Sequence, residues 1–405
     1  PAALADLRAI AMAAPREGLP APLRLVAALD AAMALPPGEP ERASRTDGAA
    51  DALAAHLASA FAQGGVAPSQ ADPEWRIPRS PPPDLAALRA AALGGAFSEA
   101  LAALAPGDEE YAALRTALAA ALAEAPGTAD AGGRVREERI ALLRASLERR
   151  RWLPRALPAD RIEVRTPHFQ LVRYEDGAVA ARHAVIVGAP RTPTPSFAAA
   201  IEAVTLNPSW TPPASILHGE LLPRFARDPG AAAREGYEAL DAAGAAIADV
   251  DWRLRPFPYA VRQRPGPRNA LGAIKFELPN PYAVYLHDTP TRALFAEPRR
   301  AFSHGCVRVA QPASLAAALL GGAWTAAALE QAAADGATRR LPLAETVPVY
   351  FLYLTAMRGA DGAIVYADDL YGRDRALLAA LDGGAEAIAS APRSESECAA
   401  SPSPG

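Results

Sequence analysis

The feature that most constrains the fold is a change in the spacing of hydrophobic residues at about Arg161. Before this point, apolar residues recur at steps of three and four, which is typical of one face of an amphipathic helix. After it, apolar residues alternate with polar ones, which is typical of strands with one buried face. The sequence therefore predicts an α+β chain, in which an all-helical domain precedes a mostly β domain.

The helical half, residues 1–150, is predicted to be a scaffold domain. Its apolar faces are formed by Leu25, Ala28, Leu29 and Met33; by Tyr111, Leu114, Leu118 and Leu122; and by Ile140, Leu143 and Leu147. Pro106-Gly107-Asp108 supplies a stop and an N-cap before the second face. The third helix carries Arg and Glu on its other sides. This half shows no recognisable catalytic motif, so a scaffolding or binding role and a plain helical bundle both stay open.

The β half is predicted to cover residues 151–375, followed by a C-terminal helix and a flexible tail over 376–405. Glu175-Asp176-Gly177 is a turn signal between two strands. Further strands are expected at Ile201–Leu206, Ala273–Leu278, Tyr282–His287 and Val349–Ala356. Between 207 and 269 the strand pattern breaks into two helical pieces and an Arg-, Pro- and aromatic-rich run. An insert of this size is either a lid or a crossover without a functional part.

Charge and cysteine content exclude several classes of function. The chain has 41 basic and 45 acidic residues, a net charge of −4, so it lacks the basic surface that nucleic-acid binding requires. The longest uncharged run, residues 309–329, is interrupted by a helix start and a Gly pair, and we expect a buried soluble segment there. Two cysteines, Cys306 and Cys398, are too few for a disulfide framework, and Cys398 lies in the Ser/Pro-rich tail.

One cluster of residues can carry chemistry: Tyr285-Leu286-His287-Asp288, followed by Ser303-His304-Gly305-Cys306-Val307-Arg308. A thiol becomes a good nucleophile when a nearby imidazole takes its proton, giving a thiolate–imidazolium pair. His287, at the end of an apolar strand, and His304, two residues before Cys306, are both candidate bases. The backbone N–H groups of Gly305 and Cys306 are candidates for holding an oxyanion. Zinc is disfavoured, because a second cysteine and a third ligand at useful spacing are missing.

Each of these residues also has an ordinary structural explanation. His287 alone is typical of a hydrogen-bonded core histidine, Arg308 of a surface charge and Ser303 of a turn. Their concentration around the only cysteine outside the tail favours an active site.

The same segment resembles the L,D-transpeptidases with a YkuD-type catalytic domain. Their signature is a His, a gap of about fifteen residues, then Ser/Thr-His-Gly-Cys, a hydrophobic residue and Arg or Asn, and His287 and residues 303–308 match it position by position. A wider similarity, dense over 148–375, is to the large subfamily with a helical scaffold and a lid. It is carried by Asn207-Pro208-Ser209-Trp210, residues 262–272, Lys275-Phe276, Pro279-Asn280-Pro281-Tyr282 and residues 285–290.

The resemblance implies a peptidoglycan crosslinking enzyme. Cys306 would attack the bond between the third residue and the terminal D-Ala of a tetrapeptide stem, with His287 as base and the carbonyl of Asp288 holding its other ring nitrogen. D-Ala leaves, and an amine of a neighbouring stem resolves the thioester. His304 and Gly305 belong to the catalytic group. The implied substrate-binding residues are Ser303, Arg308, Tyr282, Tyr285, Trp210 and Asn207.

The resemblance further implies a mostly β sandwich capped by the 207–269 insert. It implies no metal or organic cofactor, a periplasmic location, and carbapenems as covalent inhibitors. The partners would be stem peptides and other cell-wall synthesis proteins. Two departures are visible: the gap from Glu124 to Val135 is too short for the peptidoglycan-binding domain that relatives often carry, and Asp288 stands where smaller relatives have Gly. An L,D-carboxypeptidase and a non-catalytic wall-binding scaffold remain the alternatives.

Overall fold

The computed structural model describes residues 2–322 and 324–387, which form two compact units. The first unit comprises the described residues up to Pro73, Pro78–Arg155 and the described residues from Thr355 onward. The second comprises Glu74–Ile77 and Ala156–Leu354. The catalytic domain expected over 151–375 therefore extends past the point, Leu354, where the chain returns to the first unit. Cys398 and the predicted tail beyond residue 387 lie outside the described residues.

The first unit is helical, as the spacing of apolar residues predicts. Helices α1 to α8 cover Ala2–Ala13, Leu23–Met33, Arg42–Gln63, Pro68–Ala71, Leu85–Leu93, Phe97–Ala102, Glu109–Ala123 and Arg136–Arg151. The N-cap predicted at Asp108 is confirmed, since its carboxylate accepts the Tyr111 N–H at 3.0 Å. Tyr111, Leu114 and Leu118 are buried on the inner face of α7.

The charged residues in the last turn of α8 are buried rather than solvated. Glu148, Arg149 and Arg151 all lie in the core of the helical unit. Arg151 donates to the Tyr111 hydroxyl at 3.0 Å and pairs with Glu148 at 3.2 Å. This burial follows from the position of α8, which packs against both α7 and the C-terminal helix. These charged side chains therefore face protein partners instead of water.

The second unit is built on one large sheet. Strands β1 to β11 cover Arg161–Arg165, Gln170–Glu175, Ala178–Gly188, Ala198–Leu206, Tyr237–Leu240, Ala260–Gln263, Ile274–Glu277, Leu286–His287, Ala301–Ser303, Val307–Val309 and Arg339–Leu352. Nine of them pair in the order β10-β8-β7-β4-β11-β1-β2-β3-β9, and β10 also pairs with β3. This pairing closes the sheet on itself, so the expected sandwich of two separate sheets is replaced by one closed sheet.

Closure depends on the long strand β3. Its first part pairs with β2 across the turn predicted at 175–177, where Asp176 and Gly177 both have positive φ, as a type I′ hairpin requires. Its second part pairs with β10 and β9 instead. The strand predicted over Tyr282–His287 is shorter than expected, because Ala283 takes a φ of +53° and the Asn280 side chain binds the backbone of Leu278 and Val284.

The 207–269 insert forms a subdomain with its own hydrophobic core. It contains α9 (Ala214–Ile216), a π-helical segment (Leu217–Leu221), α10 (Leu222–Arg227), α11 (Pro229–Arg234) and the β5–β6 pair. Its core is aromatic, with Phe225 ring centroids 5.2 Å from Tyr237 and 4.9 Å from Trp252. An independent core makes this insert a subdomain and not a simple crossover.

After β10 the chain forms α12 (Pro312–Leu320) and α13 (Ala326–Ala333), then β11 completes the sheet. From Thr355 it adds the β12–β13 hairpin (Ala356–Arg358 and Ile364–Tyr366) and α14 (Arg373–Ala387) to the helical unit. Within the described residues, none of the helices combines the length and apolar character needed to cross a bilayer.

Candidate active site

Strand register sets three basic side chains in a row. Lys275 of β7 pairs with His287 of β8, and His287 pairs with Arg308 of β10. Residues paired directly across a sheet point to the same face. The neighbouring row, Phe276, Leu286 and Val307, is fully buried and therefore occupies the opposite, core face. The alternation of these strands thus puts apolar residues inside and the basic row on the other face.

Cys306 lies just before β10, two residues from Arg308, and therefore on the same face as the basic row. The adjacent Val307 N–H donates to the Tyr285 carbonyl at 2.9 Å, which places Cys306 beside Tyr285. The thiol is half-buried, and its Sγ lies 3.5 Å from the carbonyl oxygen of Ala283. The left-handed backbone at Ala283, held by Asn280, aims this carbonyl at the thiol. Among the contacts described for Cys306 Sγ, none is to His287.

The turn that presents Cys306 is held by hydroxyl groups. The Ser303 hydroxyl donates to the Cys306 carbonyl and accepts the Gly305 N–H at 3.1 Å. The Thr194 hydroxyl donates to the Gly305 carbonyl at 2.8 Å, and the Thr192 hydroxyl to the Ser303 carbonyl at 3.0 Å. Gly305 has a φ of +108°, which favours glycine. Since its N–H is already engaged by Ser303, the oxyanion position expected there is left to the Cys306 N–H.

His287 is buried and firmly oriented. Its Nδ1 lies 2.5 Å from the carbonyl oxygen of Asp288. A carbonyl only accepts, so Nδ1 carries the proton and the neutral ring keeps its lone pair on Nε2. Burial, together with the Arg308 and Lys275 charges, lowers the pKa of His287 to about 4, against the opposing effect of backbone hydrogen bonds at Asp288 and Leu271. The ring is therefore neutral at neutral pH.

The Asp288 side chain anchors the residue whose carbonyl orients His287. Its carboxylate accepts the Ala273 N–H at 2.9 Å and pairs with Arg292 at 3.3 Å, and it is buried. A Cβ on Gly272 would lie 2.5 Å from this carboxylate, so the close approach requires glycine. The aspartate that replaces glycine of smaller relatives thus has a structural contact of its own.

The thiol is protonated in the resting state. Burial raises the pKa of the Cys306 thiol, while a backbone hydrogen bond at Tyr285 and the Lys275 and Arg308 charges lower it, and burial dominates. These directions favour a neutral thiol and a neutral imidazole, and the thiolate–imidazolium pair suggested by the sequence stays a prediction. The physical reason is that both groups lose water and neither forms a described hydrogen bond to the other.

Comparison with known families bears on both halves of the chain. Residues 159–329 match the family model of the L,D-transpeptidase catalytic domain, YkuD. Residues 1–118 match that of a scaffold domain. The chain carries a YkuD-type L,D-transpeptidase catalytic domain preceded by a scaffold domain. The family resemblance and the α+β fold class predicted from the sequence are confirmed.

A Haemophilus influenzae protein provisionally named an L,D-transpeptidase is 38% identical over 221 residues, 53% of this chain and 45% of the relative. The chain thus spans less than half the length of that relative. An avibactam carbamoyl enzyme named Ldtfm is 14% identical, covering 50% of this chain and 51% of its own, at a TM-score of 0.25. The ertapenem-acylated catalytic domain of the Enterococcus faecium L,D-transpeptidase is 13% identical. The match covers 49% of this chain and 99% of that domain, at a TM-score of 0.23. TM-scores this low support no structural argument.

Within the YkuD domain, the remaining predicted residues divide into two groups. His304 is exposed, and its Nε2 lies 2.6 Å from Glu220 in the π-helical segment of the insert. Arg308 is half-buried and reaches the Thr291 hydroxyl at 3.4 Å. Tyr285 is half-buried beside the thiol. Arg308 and Tyr285 interact electrostatically with Cys306, whereas His304 is linked to it only by the two-residue spacing.

Three other predicted substrate-binding residues have contacts elsewhere. The Asn207 amide donates to the carbonyls of Ala333 at 2.9 Å and Ala337 at 3.1 Å, so it joins the end of β4 to the turn after α13. Trp210 packs against the core of the insert, 6.3 Å from the Tyr237 ring. Tyr282 packs on the Phe197 ring at 5.0 Å. None of the three has a described contact with Cys306 or His287.

Sequence reasoning missed several residues of the site. Lys275, Thr194 and Asn280 all position or face the reacting groups, and only Lys275 had a signal, as the single lysine of the chain. Asn280 belongs to a stretch that carries the family resemblance, but its role depends on backbone contacts that the stretch does not reveal, and Thr194 has no sequence signal. Over the described residues, no group of three or more His, Cys, Asp or Glu side chains is arranged to hold a metal ion.

Proposed function

We propose that this protein is an L,D-transpeptidase that uses Cys306 as its nucleophile on peptidoglycan stem peptides. The observation that carries the proposal is the arrangement around the thiol. Cys306 lies on the same sheet face as a neutral, oriented His287, and the Lys275 and Arg308 charges act on its thiol. His304, two residues before it, contacts Glu220 of the insert. The YkuD match of residues 159–329 supports the reaction class.

The first half-reaction transfers an acyl group to sulfur. Sγ leaves the Ala283 carbonyl and passes its proton to the unprotonated Nε2 of His287, as apo catalytic contacts often form only with substrate bound. Sγ then bonds to the carbonyl carbon of the third stem residue. The C–N bond to D-Ala breaks, and the D-Ala nitrogen takes the proton from His287. The product is a thioester on Cys306 and free D-Ala.

The second half-reaction restores the enzyme. An amine of a neighbouring stem attacks the thioester carbonyl and gives its proton to His287. The C–S bond breaks, and the Cys306 sulfur recovers that proton. The Cys306 N–H is the proposed donor to the oxyanion in both steps. Arg308 and His304 are the proposed contacts for substrate carboxylates, and Ser303 and Gly305 shape the turn.

Substrate chemistry also bears on location and inhibition. Because crosslinked stem peptides belong to the cell wall, we infer a periplasmic site of action next to other cell-wall synthesis proteins. Carbapenems are proposed to acylate the same thiol. The proposed remaining parts of the binding cleft are Tyr285 and, without a described contact to Cys306, Tyr282, Trp210 and Asn207.

The test is incubation with tetrapeptide muropeptides, followed by chromatography and mass spectrometry. Crosslinked dimers from the wild type, and none from Cys306→Ala, are the expected result. Tripeptides without dimers would instead establish an L,D-carboxypeptidase. Unchanged tetrapeptide with wild-type protein would overturn an enzymatic function and favour a wall-binding scaffold.

Acylation by a carbapenem gives an independent prediction. We expect intact-protein mass spectrometry to show a single adduct on the wild type and on Cys398→Ala. Cys306→Ala should show none, because its nucleophile is absent, while its melting temperature should stay near that of the wild type, since one small half-buried side chain is removed. An adduct on Cys306→Ala would place the reactive group elsewhere.

A further inference from the structure

Lys275 is the only lysine of a chain whose other basic residues are all arginine. It lies on β7, directly opposite His287 in the sheet register. Its ammonium nitrogen is 4.0 Å from the centroid of the Tyr285 ring. Tyr285 is also the residue that lies beside Cys306 through the Val307–Tyr285 backbone bond. The aromatic ring thus fixes one positive charge on the same sheet face as the thiol.

This charge is not neutralised locally. Among the described ion pairs, none includes Lys275. The nearest carboxylate on its own strand, Glu277, accepts from the Thr205 hydroxyl at 2.5 Å and pairs with Arg340 at 2.8 Å. Half-burial lowers the pKa of the Lys275 ammonium, and the charges of Glu277 and Cys306 oppose that effect. A cation placed where burial disfavours it, without a dedicated carboxylate, is typical of a site that acts on a developing anion.

Arginine at position 275 would fit over the Tyr285 ring less closely than lysine does. The lysine ammonium is a compact charge that fits over the face of a tyrosine ring, whereas the guanidinium is a broad planar group. His287 cannot supply the charge before the reaction, since it is neutral at neutral pH. Arg308 is the other cation near the thiol, but its described contact is to Thr291.

We propose that Lys275 is an electrostatic residue of this site, whose ammonium, held over the Tyr285 ring, stabilises the thiolate of Cys306. The proposal rests on the proposed function only in taking Cys306 as the nucleophile. A purely structural lysine that merely packs on Tyr285 would change stability when replaced, but not the ionisation of the thiol. The two roles are therefore separated by measuring the thiol itself.

The experiment is the pH dependence of Cys306 alkylation by iodoacetamide, in a Cys398→Ser background that leaves one thiol. Lys275→Met keeps the aliphatic stem and removes the charge, and Lys275→Arg keeps the charge. We expect the alkylation midpoint of Lys275→Met to move to higher pH. At a fixed pH below the midpoint its rate should fall roughly three- to tenfold, as expected for one nearby charge at a protein-like effective dielectric. Lys275→Arg should recover most of this loss.

An unchanged pH profile in Lys275→Met, with native circular dichroism, would overturn the proposal. Alkylation needs no peptidoglycan, so this outcome is independent of transpeptidation. A shifted profile in a protein that forms no dimers from muropeptides would support the role of Lys275 while refuting the proposed function. Thermal melting of each variant shows whether folding, rather than charge, explains the change.

The single lysine permits a second readout. Reductive methylation with ¹³C-formaldehyde labels Lys275 and the N-terminal amine, and it preserves the positive charge. We expect the Lys275 dimethyl resonance to shift in a step as Cys306 ionises, and this step to be missing in Cys306→Ala. A Lys275 resonance that titrates identically in both proteins would show that the two groups do not interact.

Discussion

At the scale of single residues, His287 combines two requirements that usually conflict. A general base must be neutral, and it must be oriented. Burial secures the first, and the hydrogen bond from Nδ1 to the Asp288 carbonyl secures the second. The cost is that the buried imidazole resists protonation, which couples the stability of the fold to pH.

This coupling gives a prediction. The folded pKa of His287 is about 4, below the unfolded value of about 6.5. Between these values the unfolded chain binds a proton that the folded chain does not, so stability falls as pH falls from 6.5 to 4. The contribution is about 2–4 kcal/mol. Urea unfolding at pH 7 and pH 4.5 should show a smaller loss for His287→Gln than for the wild type; equal losses would contradict the buried neutral ring.

Gly272 offers a residue-scale test of the Asp288 anchor. Alanine there takes a φ of +64° and puts its Cβ 2.5 Å from the carboxylate. We expect Gly272→Ala to cost ~1–2 kcal/mol in backbone strain and ~1–3 kcal/mol in overpacking, and to slow acylation of Cys306. Gly244→Ala is the matched control, since Gly244 has a φ of +82° with open space around it. Equal destabilisation of both variants would mean that Asp288 simply moves aside.

At the scale of elements, local sequence patterns predict the structure correctly where interactions between neighbouring residues determine it. The α7 spacing, the Asp108 cap and the 175–177 turn are local, and all three are found. On α2 the predicted face is wrong, because Ala28 and Met33 are exposed while Val26 and Ala32 are buried beside Leu29. The short strand β8 and the closed sheet depend on partners far along the chain, such as β3 with β10, and no local pattern encodes them. Lys275 was missed as a site residue for the same reason, because only strand register brings it beside His287.

The insert over 207–269 is an element with its own stability. Phe225 is fully buried among Tyr237 and Trp252, so Phe225→Ala should remove about 3–5 kcal/mol from this subdomain. We expect faster limited proteolysis within 207–269, while amide protection in β1 and β11 stays unchanged. Leu254→Ala, at an exposed side chain, is the control. Loss of protection in β1 and β11 as well would show that the insert and the sheet unfold as one.

At the scale of the whole molecule, the helical unit is completed only by chain that follows the β unit. Helix α8 ends just before the β unit begins, and α14 returns to pack on it after Thr355. Arg149 of α8 pairs with Asp374 of α14 in the core, and a second carboxylate, Asp72, lies 3.7 Å away. The burial of Arg149 cannot be predicted from the local sequence, because it depends on a partner 225 residues away along the chain.

The last prediction follows from this buried pair. Removing one partner of a buried ion pair leaves an uncompensated charge, so Arg149→Met should destabilise the protein by about 3–5 kcal/mol. Adding Asp374→Asn should recover part of the loss, because one of the two carboxyls left without Arg149 is neutralised while its contact with Thr355 is kept. Arg144→Met is the matched control, because Arg144 also joins α8 to α14, through Asp382, but at the surface, where such a pair contributes about 0–1 kcal/mol. Chemical denaturation of the wild type, both single variants and the double variant measures the coupling, with Arg144→Met alongside, and additive losses in the double variant would show that Arg149 and Asp374 do not depend on each other.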